Sequence, residues 1–182
     1  VTEKRYFDMV ERQLRTVNVK VVASHRDPGG LVEKARALLD ADAAEAADHH
    51  DQGNRWDRVY VVTDVDEFAP QLTHLQDRVR LEGIDLVVSN PCFEVWLVCY
   101  QARPVADGRG VRQQARDLGL VTGPRGKDPV LGRLEDFDRA ERMARELRAA
   151  HQRNGVVFPH DAPSTRVDEV VRFLRDKAAE SS

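Results

Sequence analysis

The chain has 182 residues, with 28 Lys and Arg against 31 Asp and Glu for a net charge of -3, and 41% of its residues are hydrophobic. That is enough apolar material for one domain, spanning 1–182 with a core part over 1–101 and a helical part over 102–182, and it excludes a global polycation. No apolar run approaches the length of a membrane span and no secretory signal pattern is visible, so a soluble cytoplasmic protein without a membrane partner is expected.

In chain order, Thr2 is placed to cap a helix whose stripe is Tyr6, Phe7, Met9, Val10 and Leu14. Val17 to Ala23 reads as a short strand. His25-Arg26-Asp27-Pro28-Gly29-Gly30 is then a turn into a helix that buries Leu31, Val32, Ala35, Leu38 and Leu39. Asp27 before Pro28 suits a helix cap, although His25 and Asp27 also follow a strand end. Ala41 to Asn54 is a polar helix tail and loop. Its His49-His50-Asp51 is a weak metal motif, because adjacent His side chains on a regular element rarely reach one ion.

The centre of the chain is more specific. Val59-Tyr60-Val61-Val62-Thr63 is a β-branched and aromatic run of the kind buried on both faces, and it stops at Asp64-Val65-Asp66-Glu67. Pro70 to Gly83 has helical spacing, and Leu86-Val87-Val88 is a second strand that stops at Ser89-Asn90-Pro91-Cys92-Phe93-Glu94. Strand, helix and strand imply a right-handed parallel crossover. Open α/β sheets hold ligands at the carboxyl ends of their strands, so Asp64, Asp66 and Glu94 are expected to converge there.

Asp64 and Asp66, two apart on extended backbone, project to the same side and can share a cation. The other Asp-x-Asp pairs, Asp40 with Asp42 and Asp136 with Asp138, lie in helix-like solvated sequence. Ser89 or Asn90 is expected to cap a helix with Pro91 at its first position, and Phe93 to Tyr100 is apolar nearly all round, so that helix should be buried. Glu94 in its first turn therefore needs a partner: the helix amino end, an Arg, or a cation. Cys92 and Cys99, two turns apart, read as reduced core thiols.

After this stretch, 103–127 holds six basic residues (Arg103, Arg109, Arg112, Arg116, Arg125 and Lys127) against Asp107 and Asp117. A solvated surface is the ordinary meaning of such a run, and phosphate contact the rarer one. Val111 to Leu118 reads as a short amphipathic helix and Gly119 to Asp128 as a Gly/Pro/Lys loop. A charged helix with Phe137, Ala140, Met143, Ala144 and Leu147 inward follows. Pro163-Ser164-Thr165 should start the final helix through Leu174.

Thr2-Glu3-x-x-Tyr6-Phe7, the Asp64-Val65-Asp66-Glu67 strand end, Ser89-Asn90-Pro91-Cys92-Phe93-Glu94-Val95-Trp96-Leu97 and Pro163-Ser164-Thr165 together resemble the RloB-like family, related to the AbiLii abortive-infection proteins. That resemblance implies a Toprim-like α/β fold, a compact parallel sheet with helices on both faces. It also implies a prokaryotic phage-defence setting with a partner ATPase, and a nuclease site that holds Mg²⁺, or Mn²⁺, for phosphodiester hydrolysis. Asp64 and Asp66 match its Asp-x-Asp. In the family a first strand and a Glu-Gly pair come immediately before the Thr-Glu-x-x-Tyr-Phe segment. That strand is expected to be missing from this chain, either because the sequence as given starts after it or because this copy has lost its first carboxylate. Glu3, in a different column of the pattern, is the nearest substitute.

The expected roles are Asp64 and Asp66 as metal ligands and Glu94 as a third catalytic carboxylate, with Glu67 and Glu3 as further candidates. Lys127, Arg125 and Asn90 are assigned to bind the nucleic-acid substrate, RNA or DNA. Two alternatives stand beside this: an inert subunit that regulates an ATPase, and a small-molecule phosphatase or nucleotide-binding module. The last lacks a Gly-rich phosphate loop after a strand.

Overall fold

The computed structural model describes residues 2–24, 26–48, 55–66, 68–80, 83–101, 103–108, 110–123, 126 and 128–181. His25, His49, His50, Asp51, Glu67, Arg109, Arg125 and Lys127 lie outside them. Seven α-helices and five strands are found among the described residues: α1 Thr2–Leu14, α2 Pro28–Asp48, β1 Val59–Asp64, α3 Ala69–Arg80, β2 Ile84–Asn90, α4 Glu94–Cys99, α5 Gly110–Asp117, β3 Val121–Thr122, β4 Asp128–Pro129, α6 Phe137–Arg153, β5 Ser164–Thr165 and α7 Val167–Glu180.

The main sheet has three strands in the order β1-β2-β5. β1 and β2 are parallel, in the register Val59 with Ile84 through Asp64 with Ser89, and α3 makes the crossover between them. Period-two alternation assigns their side chains to two layers. Val59, Val61, Ile84 and Leu86 pack with Val32, Ala35 and Val79 of α2 and α3. Tyr60, Val62 and Val87 enter the larger core, built by α1, α4, α5, α6 and α7. Its centre is aromatic: Tyr6 meets Phe7, Phe93, Trp96 and Tyr100 edge to face, and the Tyr6 and Tyr100 hydroxyls are 2.7 Å apart.

Four expectations need correction. The sheet is mixed rather than all parallel, because Ser164 and Thr165 do not open the last helix. They form β5, antiparallel to β2, with Thr165 opposite Ser89 and Ser164 opposite Asn90. The Ser89 hydroxyl is 2.8 Å from that of Thr165, so the Ser89 side chain serves the β2–β5 pair instead of capping a helix. α4 accordingly begins at Glu94, without a side-chain cap. Residues 17–23 join no ladder: Val19 and Val21 touch the core, while Val22 is exposed. The segment from Gly119 is not all loop, since β3 and β4 pair antiparallel.

Other local readings hold. Asp27 Oδ1 accepts a hydrogen bond from the Gly30 amide at 2.8 Å and opens α2. Cys92 and Cys99 are free and buried, and burial raises both thiols, Cys99 to about 12. No helix of the described residues is long and apolar enough to cross a membrane.

Candidate functional site

Asp64 ends β1 on the same face as Tyr60 and Val62, which lead into the large core. Alternation alone therefore turns its carboxylate toward α1 and α4. The side chain is partly buried, and its pKa stands well above the ordinary carboxylate value. Burial is the main cause; the negative charges of Glu3, Glu94 and Asp66 add to it, and Arg112 opposes it. Desolvation and like charge disfavour the ionised form together, and one guanidinium does not cancel them.

The chain past β1 is held by the neighbouring strand. The Val65 amide donates to the Ser89 carbonyl at 3.0 Å and the Asp66 amide to the Pro91 carbonyl at 3.3 Å. Asp66 itself takes φ 33°, in the left-handed region that non-glycine residues seldom enter. Asp and Asn are the side chains that tolerate it best. The expected extended backbone through Asp66 is therefore corrected: β1 ends at Asp64 and Asp66 sits in a turn, so strand alternation does not set the two side chains on one side.

Glu94 is the first residue of α4 and is 7% exposed. Of the three partners foreseen for it, an arginine is present: Arg112 Nε lies 3.9 Å from Glu94 Oε2. The same arginine's Nη2 donates to both oxygens of Asp66, at 2.8 and 2.9 Å. Arg112 comes from α5, so one guanidinium bridges the β1 edge and the start of α4. It belongs to the basic run of the sequence, but nothing in the run's spacing singled it out from its neighbours.

Glu3 is carried to this edge by α1, whose stripe of Tyr6, Phe7, Met9 and Val10 is buried. Asn90 behaves differently. Its amide nitrogen donates to the Pro159 carbonyl at 2.9 Å and to Asp161 at 2.8 Å, tying β2 to the segment before β5. Both amide hydrogens are thus used within the protein. Glu67, Arg125 and Lys127 lie outside the described residues. Gly126, between the last two, lies close enough to the Arg116 side chain of α5 that a Cβ added there would meet it.

Among the described residues, no three His, Cys, Asp or Glu side chains form a preassembled metal-holding group. The gathered donors are carboxylate oxygens, the ligands that Mg²⁺ and Mn²⁺ favour over imidazole or thiolate. A dication would offset the cost of burying the Asp64 charge and the lesser repulsion from Glu3, Glu94 and Asp66. On donor chemistry the residues fit such an ion, with Arg112 standing as counter-ion between Asp66 and Glu94.

Fold and site define a compact α/β protein with a small mixed sheet, in which a parallel strand pair brings carboxylates to one edge. The chain belongs to the RloB-like protein family, which matches it over residues 1–174. No curated protein and no solved structure matches it.

Proposed function

We propose that the chain is a Mg²⁺-dependent nuclease with a Toprim-like arrangement, acting on RNA or DNA in prokaryotic phage defence. The observation that carries this reading is Asp64, a strand-end carboxylate with a raised pKa, facing Glu3, Glu94 and Asp66 at the edge where α/β sheets bind ligands. Asp64 and Asp66 would hold the cation, Mn²⁺ serving in place of Mg²⁺. Bound there, it supplies charge neutralisation and Lewis-acid polarisation of a phosphodiester oxygen. Glu94 orients the attacking water and takes its proton as the oxygen bonds to phosphorus. The bond from phosphorus to the leaving sugar oxygen breaks, and that oxygen takes a proton from solvent.

The test is titration of Mg²⁺ or Mn²⁺ into wild type and the Asp64→Asn/Asp66→Asn double variant, followed by turnover of RNA and DNA. The double variant is expected to lose metal binding and at least about 100-fold in turnover, the scale of losing a principal electrostatic group. Equal affinity and equal turnover in the two proteins reject the proposal.

A second reading, an inert subunit that binds or regulates a partner ATPase, draws support from the lack of a preassembled three-residue group among the described residues. An ATPase complex that survives the double substitution with its function intact selects that reading.

A further inference from the structure

Arg112 makes contacts that the nuclease reading does not by itself require. It is the basic member of α5 that turns back onto the carboxylate edge, and its Nη2 donates to both oxygens of Asp66 while Nε faces Glu94. Its side chain is 47% exposed and that of Asp66 41%, so the pair sits at the mouth of the site and not in the core. Exposed ion pairs hold weakly, a grip that a competing dication can break. A guanidinium freed at that spot is within reach of any phosphate drawn to the cation, and its planar donor fork suits phosphate oxygens.

We propose that Arg112 is a phosphate-positioning residue that the protein stores on Asp66, beside Glu94, and releases when a divalent cation takes the Asp66 carboxylate. Cation and phosphate then bind with positive cooperativity, because the first ligand frees the donor for the second. Before the cation arrives, the same contact screens the carboxylates and keeps phosphate off the site. This rests on the metal reading above and adds the order in which cation and phosphate assemble.

Arg116 supplies the control. It lies four residues on, on the same helix face, and carries the same charge, but its side chain packs against Gly126 of the β3–β4 segment. A change at Arg116 removes a positive charge without touching the stored contact.

The experiment measures Mg²⁺ affinity by calorimetry for wild type, Arg112→Gln, Arg112→Lys and Arg116→Gln. Thermal melting then follows each protein with inorganic phosphate, in the presence and absence of Mg²⁺. Removing the stored contact is expected to tighten Mg²⁺ about two- to fivefold in Arg112→Gln, the range of an exposed ion pair. Arg112→Lys, which keeps the charge but loses the planar fork, should also tighten, and Arg116→Gln should match wild type. Phosphate should raise the wild-type melting temperature with Mg²⁺ present and not without it, and that rise should vanish in Arg112→Gln.

An Arg112→Gln protein that binds Mg²⁺ as wild type does, or keeps its phosphate response, overturns the proposal. So does an Arg112→Lys affinity equal to wild type, which would reduce the effect to net charge. Those results leave the metal reading standing; a wild type that takes up no Mg²⁺ overturns both.

Discussion

Two arginine–aspartate pairs in this molecule look alike and are built for opposite ends. Arg148 of α6 grips Asp168 of α7 with two nitrogens, at 2.6 and 2.7 Å, and also donates to the Thr165 carbonyl. The Asp168 side chain is 1% exposed. Charge is matched one to one, the geometry is a fork, and the pair locks two helices and β5 together. Arg112 and Asp66 meet instead through a single nitrogen, half exposed, with Glu94 and Asp64 close by. The first pair completes its own electrostatics; the second leaves negative potential at a strand edge. A matched, desolvated ion pair is a brace, and the unmatched carboxylate edge is where we propose that a cation binds.

Breaking the brace should give the largest effect on stability. Arg148→Ala strands the Asp168 carboxylate in the core and is expected to cost about 3–5 kcal/mol, the usual penalty for removing one partner of a buried pair. Urea denaturation measures it; a loss under about 1 kcal/mol would mean that the two pairs do not differ as described.

The carboxylate edge should respond in the other direction. Asp64→Asn removes a charge that the fold disfavours, so without divalent ions the variant is expected to melt about 2–4 °C above wild type, for a gain of about 1 kcal/mol. The pH dependence follows from the raised pKa of Asp64. Folded Asp64 binds its proton more tightly than the unfolded chain does, so its contribution is fully present below the unfolded value, about 3.9. It is lost as pH rises from there through the raised folded value. Wild type minus Asp64→Asn should therefore show stability falling with pH across that window. Added Mg²⁺ should restore wild type and leave the variant unmoved. A flat difference curve would contradict the placement of Asp64.

The smallest effect should come from a third pair, Arg166 with Glu169, 3.0 Å apart and three residues apart in sequence. Arg166→Ala is expected to change stability by less than about 0.5 kcal/mol. A larger change in the same denaturation series would show that exposure is a poor guide to what these pairs do.

The legible part of the site was the part written as interruptions of hydrophobic runs. Asp64 and Glu94 stand where an apolar strand or helix meets charge, and the parallel register of β1 and β2 follows from a crossover through α3. Arg112 and the double duty of Ser89 were not legible. Arg112 lies 46 residues from Asp66, in a run where five other basic residues look equivalent. Ser89 and Asn90 carry good cap chemistry, but β5 and the segment before it claim their side chains first.

By itself, the sequence determined the helical stripes of α1, α2 and α6, the buried character of α4 and the strand–helix–strand unit that puts carboxylates at one edge. All of these depend on periodicity and local composition, which short stretches of chain carry. The tertiary structure alone decided that the two-residue β5 runs antiparallel to β2, that Asn90 ties down the Pro159 segment, and which arginine faces the carboxylates. Those are pairings between residues dozens of positions apart, and their partners are fixed by how the helices pack around the aromatic centre of the core, not by any pattern along the chain.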